Sequence, residues 1–159
     1  MRRLLIVWHS LTGGSEQMAR AASEATEAEV LLKRAREAGP DDLLAADGYL
    51  FACPENLASM AGAMKDFFDR SYYPVLGRIE GRPYAGMICA GSDGEGAARQ
   101  MVRIATGWRL KAIVEPLIVC THAQTPETIL APKTIGEADL ARCRELGATM
   151  GTGLAMGIF

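Results

Sequence analysis

One stretch limits the possible folds more than any other: Leu4-Leu5-Ile6-Val7-Trp8, then His9-Ser10-Leu11-Thr12-Gly13-Gly14-Ser15, then Glu16-Gln17-Met18-Ala19. An apolar strand passes directly into a short turn of hydroxyls and glycines, and the turn passes directly into a helix. A helix start leaves backbone N–H groups without intrahelical partners, and its dipole favours negative charge. Gly13 and Gly14 let the backbone wrap closely because they carry no Cβ. Ser10, Thr12 and Ser15 add neutral donors, and no Lys or Arg stands in the turn. This pattern points to a phosphate held by neutral groups, such as the dianionic end of a monoester. The Gly-Lys-Ser/Thr signature of a triphosphate loop and the three spaced glycines of a dinucleotide turn are both missing.

The rest of the chain repeats the alternation. Residues 3–8, 28–34, 48–53, 84–90 and 112–120 read as strands, the second lying near an edge and the fifth interrupted or ended near Pro116. Residues 15–26, a short segment from Pro40, the segment from about Met60 to Tyr72, residues 95–108 and the segment after Gly136 read as helices. Gly48-Tyr49-Leu50-Phe51-Ala52-Cys53 is almost wholly apolar, as expected of a parallel strand covered on both faces. Pro54 is expected to stop it. Met60, Met64, Phe67, Phe68 and Tyr72 fall at helical spacing and read as core. Five strands alternating with helices predict an α/β fold: a three-layer sandwich around a five-stranded parallel sheet with right-handed crossovers. In such sheets ligands sit beyond the carboxyl ends of the strands. Three polar or Gly-rich loops are expected there, residues 9–15, 54–60 and 91–96, and the Thr121–Gly136 segment is placed to reach the same rim.

Bulk properties exclude several classes. A chain of 159 residues suggests one domain spanning 1–159, and 49% hydrophobic residues suffice for its core. A net charge of −2 without a basic block argues against nucleic acid as a partner. No apolar run is long enough to span a bilayer, and a cytoplasmic location is expected. Cys53, Cys89, Cys120 and Cys143 are widely spaced with no Cys-x-x-Cys, so neither disulfides nor a zinc site is expected. His9 and His122 each follow a strand without a carboxylate cluster, which is a weak metal pattern. The Gly- and Met-rich tail, Met150–Phe159, needs cover from the sheet or from a second subunit, so a homo-oligomer is one reading.

These residues resemble the flavodoxin-like family. Ser10-Leu11-Thr12-Gly13-Gly14-Ser15-Glu16 resembles its phosphate loop. Ala46–Pro54 followed by Met60–Arg70 is similar to the third strand, flavin loop and next helix of its NAD(P)H-dependent FMN and quinone reductases. Gly91-Ser92-Asp93-Gly94-Glu95-Gly96 resembles the third flavin loop. The resemblance implies FMN as cofactor, with Ser10, Thr12, Gly13, Gly14 and Ser15 on its phosphate. It places Pro54, Glu55, Asn56, Leu57 and Ala58 along the isoalloxazine, and Ser92, Asp93 and Gly94 at the opposite edge of the ring. It implies NAD(P)H as co-substrate and a small acceptor such as a quinone. The ring loops lack the aromatic residues of electron-carrier flavodoxins, and weak net charge is a poor steering field for protein partners. The expectation is therefore a reductase, with a flavodoxin-type carrier as the alternative. No side-chain nucleophile or base is called for, because such a cofactor carries the chemistry.

Overall fold

A computed structural model describes residues 1–159. The strands are β1 (Arg3–Trp8), β2 (Glu29–Arg34), β3 (Gly48–Asn56), β4 (Ser59–Met60), β5 (Pro83–Ala90), β6 (Lys111–Ala112) and β7 (Leu117–Cys120). The helices are α1 (Gly14–Ala25), α2 (Pro40–Ala45), α3 (Gly62–Val75), α4 (Glu95–Gly107), α5 (Pro126–Leu130) and α6 (Glu137–Met156). The sheet runs β2-β1-β3-β5, and β6 and β7 both pair with the far side of β5. All of these pairings are parallel. The winding reverses between β1 and β3, so the crevice beyond their carboxyl ends is where a ligand is expected in a doubly wound sheet.

This is the expected three-layer sandwich, with the fifth strand interrupted near Pro116 as expected and one correction, at Pro54. The fifth strand is two pieces, β6 and β7, separated by residues 113–116. Pro116 has no N–H to give a ladder, so pairing with β5 resumes only at Leu117. Pro54, expected to end β3, lies inside it and stays in register with Cys89. Its carbonyl still accepts from the Ala61 N–H at 3.1 Å, which carries the strand onward. Beyond Pro54 the chain folds back as a hairpin, with Glu55 opposite Met60 and Asn56 opposite Ser59.

Strand alternation sends side chains to two separate cores. Leu5, Val7, Tyr49 and Phe51 face α3 and α4, where Met64, Phe67, Phe68, Met101 and Trp108 are buried. Phe51 meets Phe68 edge-on at 5.1 Å between centroids, and Phe68 meets Trp108 at 5.5 Å. Buried aromatic pairs in this geometry contribute about 0.5–1.5 kcal/mol each beyond area burial. Leu4, Ile6, Leu50 and Met87 face α1 and α6, where Met18, Ala22, Cys143 and Met150 are buried. That side is closed by small residues. A Cβ at Gly147 would collide with the Ala22 carbonyl, and one at Gly151 with the Thr26 hydroxyl. These glycines let α6 lie directly on α1; of the apolar tail, Leu154 is buried and Gly153 lies against the Phe159 ring, while Met156 and Ile158 are exposed. No helix is long and apolar enough to cross a membrane.

Candidate functional site

The β1–α1 turn forms as its sequence requires. Gly13, at φ 97°, is the N-cap of α1. Its N–H donates to Ser10 Oγ at 2.9 Å, which fixes that hydroxyl and leaves its proton free to donate. Gly14 passes so close to β5 that an added Cβ would lie 2.7 Å from Cys89 Sγ. Ser15 is 1% exposed, and its hydroxyl has no hydrogen-bond partner. A buried unpartnered hydroxyl in the first turn of a helix calls for an explanation.

The second loop is the β3–β4 hairpin. Its two central residues, Leu57 and Ala58, have φ of 52° and 63°. A two-residue hairpin turn with both φ positive normally carries Asn-Gly, so Leu-Ala is strained here. Leu57 is fully exposed at the tip. Two side chains, one on the hairpin and one on α4, tie the hairpin to α4. The Glu55 carboxylate accepts from the Gly94 N–H at 2.9 Å and the Ala97 N–H at 3.1 Å, capping α4. Gln100 Oε1 accepts from the Met60 N–H at 2.7 Å and the Ser59 hydroxyl at 2.9 Å. A Cβ at Gly96 would strike the Ala58 carbonyl, so hairpin and helix are in close contact.

The third loop turns at Gly94, the αL N-cap of α4 at φ 91°. Asp93 Oδ1 accepts from the Glu95 N–H at 3.3 Å. The loop is braced by the segment after β7: the His122 N–H donates to the Gly91 carbonyl at 2.8 Å, and the Ala123 carbonyl closes over Gly91.

The three loops open onto one cavity of about 480 Å³. Thr12, Pro54, Glu55, Asn56, Leu57, Ala58 and Ser92 line it. Cys89, Ala90 and Gly91 form its floor, and Thr121, Ala123, Gln124, Ile129 and Lys133 come from the 121–136 segment, which reaches the rim as expected. The remaining expected residues do not line the cavity. Gly13, Gly14 and Ser15 build the turn, and Asp93 and Gly94 organise the start of α4. The Glu55 carboxylate is committed to α4, so Glu55 offers the cavity its backbone and stem. Ser10 opens with His9, Leu11, Arg34 and Arg36 onto a second cleft of about 320 Å³ on the β2 side. Burial, then the nearby Arg36 charge, holds His9 below its ordinary pKa. Burial pushes the Cys89 thiol up to about 11, so it stays protonated below the cavity.

Sequence reasoning missed Lys133. Its N–H donates to the Thr12 carbonyl at 2.8 Å, and its Nζ lies 3.5 Å from Thr12 Oγ1. The available signal was compositional: Lys133 is the sole Lys or Arg between Lys111 and Arg142, in a segment expected at this rim.

Comparison with known proteins fits this geometry. The family described as NADPH-dependent FMN reductase matches residues 22–125. The chain belongs to that family. A flavodoxin of Aquifex aeolicus is 31% identical over 100 residues, 60% of this chain and 54% of the relative. An NAD(P)H dehydrogenase (quinone) of Acidithiobacillus ferrooxidans is 35% identical over 95 residues, 45% of this chain and 48% of the relative. The chain spans about half the length of the curated relatives it matches. An archaeal flavodoxin superposes with a TM-score of 0.77 at 16% identity, covering 96% of this chain and 99% of its own. That likeness establishes the flavodoxin-like fold of this family member.

Proposed function

We propose that the chain is an FMN-binding oxidoreductase that takes electrons from NAD(P)H and passes them to a quinone or a similar small acceptor. One observation carries the reading: the three loops expected to hold a flavin mononucleotide converge on one cavity at the switch point of the sheet. The residues present fit the group. Thr12 lines the cavity and the Ser15 hydroxyl is buried and unpartnered in the first turn of α1, both neutral donors of the kind a phosphate takes, while Ser10, with its proton free, opens onto the neighbouring β2-side cleft. Pro54, Leu57, Ala58 and Ala90 offer apolar walls of the kind a planar ring requires, within the volume range of small-molecule sites.

In this reading Ser10, Thr12 and the Gly13–Ser15 turn hold the phosphate. Residues 54–58 line one side of the isoalloxazine, and the Ser92–Gly94 loop bounds its opposite edge. The bound flavin supplies hydride acceptance and electron donation. The chain's own work is to orient and to exclude water. Leu57, at the tip of the strained turn, presents an aliphatic face without an aromatic clamp, which leaves room for a nicotinamide and then an acceptor at the same place. Asn56 lines the cavity and is placed to orient either of them.

The test is spectroscopic. Protein loaded with FMN keeps a flavin spectrum through gel filtration, loses it on anaerobic mixing with NADPH or NADH, and regains it with a quinone. Failure to retain FMN removes the reading. The Aquifex relative favours a second one, a flavodoxin-type carrier. It prevails where neither nucleotide bleaches the bound flavin and a reductase protein does.

A further inference from the structure

The 121–136 segment brings a cation to a turn that has none of its own. Lys133 is half-buried. Its carbonyl accepts from Gln17 Nε2 at 2.7 Å, and Gln17 Oε1 accepts from the Ile135 N–H at 2.9 Å. With the bond from the Lys133 N–H to Thr12, these contacts clasp residues 133–135 across the first turn of α1. The clasp fixes the side chain as well. Nζ donates to the carbonyls of Ala131 at 2.6 Å and Ile129 at 2.8 Å, with Thr12 Oγ1 at 3.5 Å.

Those carbonyls hold the ammonium in place without neutralising it. None of the ion pairs in the structure includes Lys133. Its Nζ lies 3.5 Å from Thr12 Oγ1, two residues before α1 begins at Gly14, which sets the charge at the positive end of that helix's dipole. A cation at a helix N-terminus is disfavoured by the dipole, and an anion bound at the turn relieves the repulsion.

We propose that Lys133 is the charged member of the phosphate subsite, pairing with a dianionic phosphate monoester alongside Thr12. The inference rests on the FMN reading for its physiological ligand. It alters the expectation drawn from the turn alone, because the grip is charge-assisted and so dependent on ionic strength. Selection for the mononucleotide over the unphosphorylated flavin then resides partly outside the turn.

The experiment titrates full-length wild type, Lys133→Gln and Lys133→Arg with FMN and with riboflavin, at low and high salt, by flavin fluorescence quenching. Lys133→Gln is expected to weaken FMN by about 10-fold, the scale of one charge-assisted hydrogen bond, and to flatten its salt dependence. Riboflavin affinity should stay within about twofold, and Lys133→Arg should keep most of the FMN affinity. Equal loss of both ligands overturns the proposal, since it means the clasp and not the charge was damaged. Unchanged FMN affinity and salt dependence in Lys133→Gln overturns it as well. Inorganic phosphate, titrated calorimetrically, separates the two readings. A wild type that ignores FMN but binds phosphate through Lys133 loses the flavin function and keeps this subsite. A wild type that binds neither ligand loses both.

Discussion

At the α1 end of the cleft, the donor groups come from one contiguous turn, Ser10–Ser15, shaped by glycines where the backbone needs them. At the other end, proposed to take the ring, the walls come from residues 54–58 and 91–94, tied together by bonds spanning about forty positions: Glu55 to Gly94 and Ala97, Gln100 to Ser59 and Met60. The turn at φ 97° is a glycine at the first end, whereas the second end, besides Gly94, sets two non-glycine residues, Leu57 and Ala58, at positive φ. The backbone shape of the first end is therefore written in its own turn, and the clasp from residues 133–135 adds to it without forcing a non-glycine residue to positive φ. The other is imposed by tertiary bonds and stores strain, as is common where a loop must present a side chain to a ligand.

The largest break is expected from Glu55→Ala. It orphans two N–H groups at the start of α4 and frees the hairpin, and should cost about 2–3 kcal/mol in urea unfolding of the cofactor-free protein. FMN and riboflavin affinity should fall together, because only the ring end is affected. A variant that lost FMN alone would contradict this division.

Gly14→Ala attacks the other end. Its Cβ would sit 2.7 Å from Cys89 Sγ, an overpacking that costs about 1–3 kcal/mol. FMN should suffer more than riboflavin. Combining it with Cys89→Ala should recover part of the stability, giving a non-additive cycle. Strict additivity would show that the thiol is not what the new methyl meets.

Glycine exchanges sharpen the comparison with opposite signs. Ala58→Gly releases a left-handed alanine and should raise the urea midpoint, by up to about 1 kcal/mol in stability. Gly13→Ala introduces the same penalty and should lower stability by about 1 kcal/mol. Equal signs would mean the hairpin is not strained.

The smallest effect lies at the β2-side cleft. His9 is held below its ordinary pKa by burial and then by Arg36. As pH falls from about 8 to about 5, the unfolded chain takes up the proton before the native state does, so stability declines. His9→Gln should make the urea midpoint less dependent on pH over that range. An unchanged slope would place the titration elsewhere.

This contrast also explains what could be read from the chain. The strand–turn–helix start, the buried runs of β3 and β5 and the apolar stripe of α3 were legible because each is a local pattern with a fixed period. Pro54 misled because its missing N–H was weighed and its carbonyl was not. The Leu57–Ala58 turn left no trace, since neither residue prefers positive φ. The capping role of Glu55 was hidden for the same reason as Lys133: a carboxylate or an ammonium in a loop carries no record of which distant backbone it will meet.

The clasp on α1 has a consequence for the order in which the molecule is made. Thr12 and Lys133 stand 121 positions apart, and Gln17 and Ile135 stand 118 apart. All four lie outside residues 22–125, the part matched by the family. A chain emerging from the ribosome can assemble the first four strands and the aromatic core while residue 133 is still unmade. In the proposed reading, tight cofactor capture then reports on completion of synthesis: a truncated product would keep the donors of the turn but lack the ammonium that joins them on the phosphate.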